Sequence, residues 1–459
     1  MDEQDVLVEE MLFEQDAGEG TQVQPVNTNL PHNWQRVRLG DLLENERISL
    51  TNGFAQGGYN ESGQGVPHLR PFNVTEDGRI DLSQIKSVEP PREDSSYWVH
   101  PGDVIFNNTN SEELVGKTAY FAHSGRFVLS NHMTLIRILD SQTLDALWFA
   151  NEFQYLWRRR VFQALCRRHV NQASVSLERL KGITIPLPPL QEQRAIAHIL
   201  RTVQEAIQAR RREADLEREC KAALMQHLFT CGTRGEPRKQ TEIGEMPESW
   251  QISSLGEICS FLQYGTSERC DADASGIPVL RIPNVIDGRV DLSDLKYAKL
   301  PANTVQGLKL ETGDVLFVRT NGRREYTGRC AVFNGELKEA LFASYLIRAR
   351  LKPTTALPGF VRLYSETHEG RSFLSGKASN AADGKFNINT QTIKGVIVPL
   401  PTISEQQEIV DALNACDTKI AALEQEAMLI GELFRALLEE LMTGRLSIAS
   451  LIAVEVAHE

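Results

Sequence analysis

The stretch GVPHLRPFNVTEDGRIDLSQIK, Gly65 to Lys86, is written a second time as GIPVLRIPNVIDGRVDLSDLK, Gly276 to Lys296. Four other landmarks recur in the same order. Trp34 with Leu39-Gly40 matches Trp250 with Leu255-Gly256, and GDVIF from Gly102 matches GDVLF from Gly313. VGKTAYF from Val115 matches TGRCAVF from Thr327, and LKGITIPLPPLQEQ from Leu180 matches IKGVIVPLPTISEQ from Ile393. The offsets stay between 210 and 216 residues. Solenoid and propeller repeats run to a few tens of residues, so this period is a whole domain plus a connector. The chain is two tandem copies of one module, and a duplicated module suits a bipartite target.

Composition narrows the function classes. The 459 residues are 41% hydrophobic and 24% charged, ordinary for a globular protein with proper cores. No run of about 18 apolar residues occurs, and the acidic N-terminus lacks the basic start of a signal peptide. The seven scattered cysteines form no CxxC, which points to a reducing cytoplasm without a disulfide framework or zinc site. The net charge of −12 is concentrated at the two ends: residues 1–31 carry −8 and residues 399–459 another −8. Residues 32–186 are neutral and 250–398 carry +4, so both copies are left able to present basic surfaces to nucleic acid.

Within each copy, short β-rich runs alternate with turn signals (EDG before Arg79, PGD at Pro101, TGD at Thr312), followed in the first copy by a helical stretch from Leu144 to Cys166. Each copy then closes on two alternate prolines, IPLPPL or VPLPTI, which keep the chain extended. A helix signal follows, QEQ or SEQ. The second helix places Ile409, Leu413, Cys416, Ile420, Leu423, Ala427, Ile430, Phe434, Leu437 and Leu441 in alternating steps of four and three, a heptad seam. The first keeps that register at Ile196, Leu200, Val203 and Ile207, then sets Arg210, Glu217 and Lys221 on the seam before Leu224 and Leu228. Such helices pair between chains or within one. Equal length and duplication favour an antiparallel pair within the chain; one explanation of the polar seam positions is that the outer turns of the first helix face partners rather than only their mate.

No catalytic constellation assembles. VGKT at Val115 has the ending of a phosphate-binding loop, but Ser111 stands where the leading glycine is required. HExxH, GxSxG and cysteine–histidine metal spacings are all missing. The polar clusters look like contacts instead. FNNTNSEE, with Asn107, Asn108 and Asn110, and FVRTNGRRE, with Arg319, Asn321, Arg323 and Arg324, fall at matching strand ends. Asn and Arg are the side chains that read adenine and guanine edges; the plain alternative is an ordinary hydrogen-bonded turn. RRRVFQALCRRHVNQ supplies Arg158, Arg160, Arg167, Arg168, Asn171 and Gln172. Read as helix, it sets Arg160, Arg167 and Arg168 near one face to line phosphates. Its counterpart SGKASNAADGKFNIN, with Lys377, Asn380 and Lys385, reads as a mobile loop. Arg70, Lys117 and Arg281 complete the DNA-contact candidates.

Taken together, LPHNWQRVRLGDL and IGEMPESWQISSLGEI opening the copies, IPLPPLQEQRAIAHIL and VPLPTISEQQEIVDAL closing them, and the helix ends LFTCGTRGE and LMTGRL resemble the specificity subunit of type I restriction-modification systems. The resemblance runs from Leu30 to Leu446 in family order. It implies an α+β fold: two tandem mixed α/β target-recognition domains separated by two long antiparallel coiled-coil helices. The expected divisions are an acidic extension (1–29), domain one (30–187), spacer helix one (188–231), a linker (232–247), domain two (248–400), spacer helix two (401–446) and a C-terminal tail (447–459). The extension and the apolar tail depart from the family pattern. The resemblance further implies a non-catalytic, cytoplasmic subunit whose domains each read half of a split double-stranded DNA target. Its helices would dock two methyltransferase (modification) subunits, which bring the S-adenosylmethionine, with restriction and translocase subunits joining through that complex. A two-domain protein-interaction scaffold is the rival reading.

Overall fold

The computed structural model describes residues 30–54, 59–60, 64–170, 172–380 and 384–448. The acidic extension, Asn171 and nearly all of the tail lie outside the described residues. The chain forms two compact units, Met1–Ala209 with Glu426–Glu459, and Arg210–Gln425.

Each unit is built around the GDV(I/L)F strand. In the first, Val104–Phe106 sits in an antiparallel sheet in the order Ile48–Asn52, Thr134–Ile138, Val104–Phe106, Thr118–Tyr120. Alternate residues of a strand face opposite sides, and here both sides are buried. Val104 and Phe106 join the core under the helix Ala146–Arg158, whereas Ile105 joins Leu69 and Leu129 of a second sheet. That sheet runs Lys86–Val88, Val66–Leu69, Phe127–Leu129, Trp98–Val99. The second unit repeats the plan: Val315 and Phe317 face one core, Leu316 and Val318 the other. The motif's glycine takes φ +97° at Gly102 and +94° at Gly313, a region open to glycine without steric cost. Its aspartate is buried against arginine, and in the second unit Arg348 also stands 3.7 Å from it. Asp103 holds Arg137 at 2.7 Å, and Asp314 holds Arg350 at 2.7 Å.

The proline-rich closings form strands. Thr184–Leu187 pairs antiparallel with Gln35–Arg38 beside Trp34, and Ile397–Leu400 pairs with Gln251–Ser254 beside Trp250. Each closing strand leads into a long helix, Leu190–Cys231 or Ile403–Met442. The joint is the same in both units. Trp34 Nε1 donates to Glu192 at 2.8 Å, and Trp250 Nε1 donates to Glu405 at 3.1 Å. The adjacent glutamine fastens the helix start to its domain. Gln193 accepts from Asp145 N (2.8 Å) and donates to Pro188 O (2.8 Å); Gln406 accepts from Leu357 N (2.8 Å) and donates to Pro401 O (3.0 Å).

The helix halves pair antiparallel inside each unit. In the first, Ile196, Leu200 and Ile207 share a core with Phe434, Leu438 and Leu441, and Val203, Ile430 and Leu437 pack against it half-buried. In the second, Met225 and Leu228 share a core with Ile409 and Leu413. Leu423 is buried, while Ile420 is half-buried on the wall of a polar cleft. Two of the three polar seam residues find partners on the facing helix, while Arg210 pairs with Glu213 on its own helix. Glu217 pairs with Lys419 at 2.7 Å, and Lys221 pairs with Asp417 at 2.6 Å. Such ion pairs fix register more than they add stability.

Helix ends complete the joints. Gly444, at φ +68°, lies where a Cβ would come within 2.5 Å of Pro31, and Gly232 lies where one would come within 2.7 Å of Glu405. Glu405 also accepts from Thr233 N at 2.9 Å. Replacing Glu405 with Ala therefore strands one buried donor, the Trp250 indole, and frees the Thr233 amide, whose residue is exposed. We expect a loss of about 1–3 kcal/mol, read by denaturant unfolding. Unchanged stability of the Glu405→Ala chain would remove this joint from the account.

Candidate nucleic-acid interface

Two segments far apart in sequence meet at one end of the first unit's sheet. The strand Thr109–Asn110, from FNNTN, pairs with Ala173–Ser174, which pairs with Arg167–Arg168. The second unit builds the same three-stranded ribbon from Thr320–Asn321, Phe386–Asn387 and Ser379–Asn380. The arginine-rich stretch is thus not one helix. The first helix ends at Arg158, Arg160 takes φ +58°, a short helix spans Val161–Leu165, and Arg167 and Arg168 are strand residues. The expected common helical face for Arg160, Arg167 and Arg168 does not form. The local reason is the left-handed backbone at Arg160, which no glycine or proline announces. The second copy's segment, read as a mobile loop, likewise contributes two strands flanking residues 381–383, which lie outside the described residues.

The ribbons share a frame and differ in their side chains. Val175 N donates to Asn108 O, and Ile388 N donates to Arg319 O, both at 2.9 Å, which sets Asn108 and Arg319 at one position and Asn110 and Asn321 at another. Asn110 Oδ1 accepts from Ser111 N at 2.8 Å, and Asn321 Oδ1 accepts from Arg323 N at 3.0 Å. Both amides are fixed by their own turn. Each NH2 group donates to no described residue, and an amide oxygen keeps a second lone pair. Both residues are half-buried.

Other candidates are placed differently. Asn107 is fully buried and donates to Pro71 O at 2.9 Å. Asn108 is buried and donates to Thr134 Oγ1 at 2.9 Å. Lys117 is buried with Nζ on Val74 O at 2.6 Å, and burial lowers its pKa. These three serve the frame, since a hydrogen-bonded turn and a buried cation spend their groups inside. Arg70 and Arg281 each brace a loop, through Gln84 O at 2.8 Å and Asp294 at 2.7 Å. Arg158 is half-buried and donates to Glu76 O at 3.0 Å; burial, and then nearby Arg435, depress its pKa. Arg168 pairs with Glu112. Exposed on the ribbons and their flanks are Arg160, Arg167, Arg168, Gln172, Arg323, Arg324, Lys377, Asn380 and Lys385.

Sequence reading missed the aromatic partners. Arg319 lies 4.8 Å from the Tyr264 ring centroid, Arg324 lies 5.2 Å from Phe386, and Arg329 lies 3.9 Å from Tyr326. Planar guanidinium on an aromatic face preorganises the arginine without neutralising it. Tyr264 and Phe386 lie tens of residues from their arginines, so no local motif marks them, whereas Tyr326 stands three residues before Arg329 and is open to local reading. Among the described residues no group of His, Cys, Asp or Glu could hold a metal ion, and no helix is long and apolar enough to cross a membrane.

Comparison with known proteins places this arrangement. The family model described as the type I restriction modification DNA specificity domain matches residues 31–218 and again 247–430. The putative MjaX specificity subunit of Methanocaldococcus jannaschii is 25% identical over 435 residues, covering 91% of this chain and 95% of that protein. The EcoKI specificity subunit of Escherichia coli K12 is 24% identical over 348 residues, covering 75% of this chain and 74% of that one. In fold, the crystal structure of a type I S subunit from M. genitalium matches with TM-score 0.53 at 14% identity, over 91% of this chain and 98% of that one.

On this geometry, Asn321→Ala should relax one base position by about 1–3 kcal/mol. Arg167→Ala should instead weaken binding to all sequences alike and flatten its salt dependence. Competition binding over a panel of duplexes separates the two effects; an Asn321→Ala chain with unaltered preference would take that side chain off the reading surface.

Proposed function

We propose a division of labour for this chain, which belongs to the type I restriction-modification DNA specificity family: each unit reads one half of a bipartite duplex target through its three-stranded ribbon. As a specificity subunit the chain recognises DNA sequence and is not itself the catalyst, so the scaffold reading is disfavoured. The observation that carries the proposal is the recurrence of one ribbon frame with different exposed side chains, Arg167 against Ser379 and Arg168 against Asn380. One frame with two sets of side chains is what two unrelated half-sites require. Exposed Arg167, Arg323 and Lys377 supply phosphate contacts beside base-reading Asn110 and Asn321. Loss of site-specific genome methylation when the gene is deleted, and its return on complementation, is the expected result. Methylation unchanged by deletion would overturn the reading.

The partners in this reading are methyltransferase subunits, with restriction subunits joining through them. Support for two copies comes from the helices. The 213-residue step that carries Gln193 onto Gln406 also carries Leu216 onto Leu429, Cys220 onto Leu433 and Ala223 onto Ala436. All six are exposed, at i, i+4 and i+7 of their helices, with Leu216 63% and Leu429 52% accessible. An apolar stripe repeated by the duplication offers the same seat twice, once on each helix. The methyltransferase subunits bring the S-adenosylmethionine and the adenine chemistry. Leu216→Glu and Leu429→Glu should each remove one methyltransferase subunit from the assembled complex, measured by native mass spectrometry, and the double variant should remove both. Retention of two subunits by the double variant would discard the stripes as seats.

A further inference from the structure

Beside the first unit's ribbon, the short turn Pro71–Asn73 carries an exposed ring that the matching turn of the second unit lacks. Phe72 is 48% exposed and Tyr59 41% exposed, and neither ring belongs to a hydrophobic core. Between them lies the Arg70 guanidinium, 4.0 Å from the Phe72 ring centroid and 5.3 Å from that of Tyr59. Lys86 Nζ lies 4.9 Å from the Tyr59 ring. The stack is held at both ends. Arg70 Nη2 donates to Gln84 O at 2.8 Å, and Pro71 O, one residue before the exposed ring, accepts from Asn107 Nδ2 at 2.9 Å. Asn107 lies two residues before the ribbon strand Thr109–Asn110, so the ring is tied to the reading strand itself. In the second unit the same short 3-10 turn, Ile282–Asn284, carries Pro283 in place of Phe72, and Arg281 turns to Asp294 at 2.7 Å.

Leaving two aromatic rings in water costs hydrophobic free energy that folding alone does not recover. Cations stacked on exposed rings suit a ligand that joins flat bases to phosphates, because the rings take the bases while the cations lower the local cost of the backbone charge. A cationic partner would be repelled by Arg70 and Lys86. We propose that Phe72 is a stacking wedge that enters an opened base step at the edge of the half-site read by the first unit, with Arg70 and Lys86 against the flanking phosphates. The inference rests on the DNA-recognition reading above and adds to it: the first half-site is selected partly by how readily a step opens, and the second, with Pro283 at the matching position, has no wedge at that turn.

The test uses the full chain in complex with its methyltransferase subunits, and duplex targets carrying 2-aminopurine at successive positions in and beside each half-site, avoiding the adenines that become methylated. With the wild-type chain, fluorescence should rise several-fold at one step beside one half-site. Phe72→Ala should abolish that rise and weaken binding about tenfold, while Phe72→Trp restores both. The other half-site should not respond to either substitution. Because the ring is exposed and outside the cores, Phe72→Ala should keep the melting temperature of the wild type. Tight, specific binding with flat fluorescence at every position, or a rise that survives Phe72→Ala, would overturn the wedge and leave recognition standing. Failure of the wild-type complex to bind any duplex would overturn the recognition reading, and the wedge with it.

Discussion

Everything in this chain is hung from a tryptophan indole bonded to a glutamate at the first turn of a long helix. Trp34 on Glu192 and Trp250 on Glu405 fix the direction in which each helix leaves its domain. Gln193 and Gln406 add a second point of attachment, so the helix start cannot pivot about a single bond. The far end of the other helix then closes the same joint, with Gly444 against Pro31 and Gly232 against Glu405, both at a positive φ that favours glycine. Each compact unit is consequently made from one copy plus the terminal half of the helix that belongs to the other copy. The antiparallel pairing of the helices follows from that exchange and needs no separate cause.

A frame built this way can hold its shape while its reading surface varies. The central strand is buried on both faces, and its buried aspartate is tied to an arginine, so the strand end that feeds the ribbon is rigid. Main-chain bonds fix the ribbon, as at Val175 on Asn108 O and Ile388 on Arg319 O, and place no demand on the side chain there. Asn108 has turned inward to Thr134, whereas Arg319 stacks on Tyr264. The same logic permits Phe72 in one copy and Pro283 in the other. Side chains on such a surface are free to follow the target, and recognition of two unrelated half-sites becomes a matter of substitution on an unchanged backbone.

Much of this was legible in the sequence because it is written in periodicity and punctuation. The duplication, the extended proline segments and the helix starts depend on local patterns, and strands and long helices form there; the apolar seam is met only in part, since Leu438 is buried where the heptad count names Leu437. The seam's polar members were read less well: Glu217 and Lys221 look unsuited to a coil until Lys419 and Asp417, two hundred residues away, are seen opposite them. The arginine stretch was misread because nothing in RRRVFQALCRRH marks Arg160 as the left-handed residue that ends the helix. Asn107 and Lys117 read from the sequence as contact candidates, yet their hydrogen bonds go to Pro71 and Val74, partners that only the tertiary fold supplies. Ribbon membership of Asn110 and Arg167 was likewise beyond local reading, since strands of two residues leave no periodic signature.

The central claim is that two independent readers share one frame. It is tested most directly by replacing residues 250–398 with the matching segment of a relative of different specificity, and mapping methylated sites across the host genome. The account predicts a new target that keeps one half of the original sequence and exchanges the other. A target in which both halves change, or neither does, would contradict it.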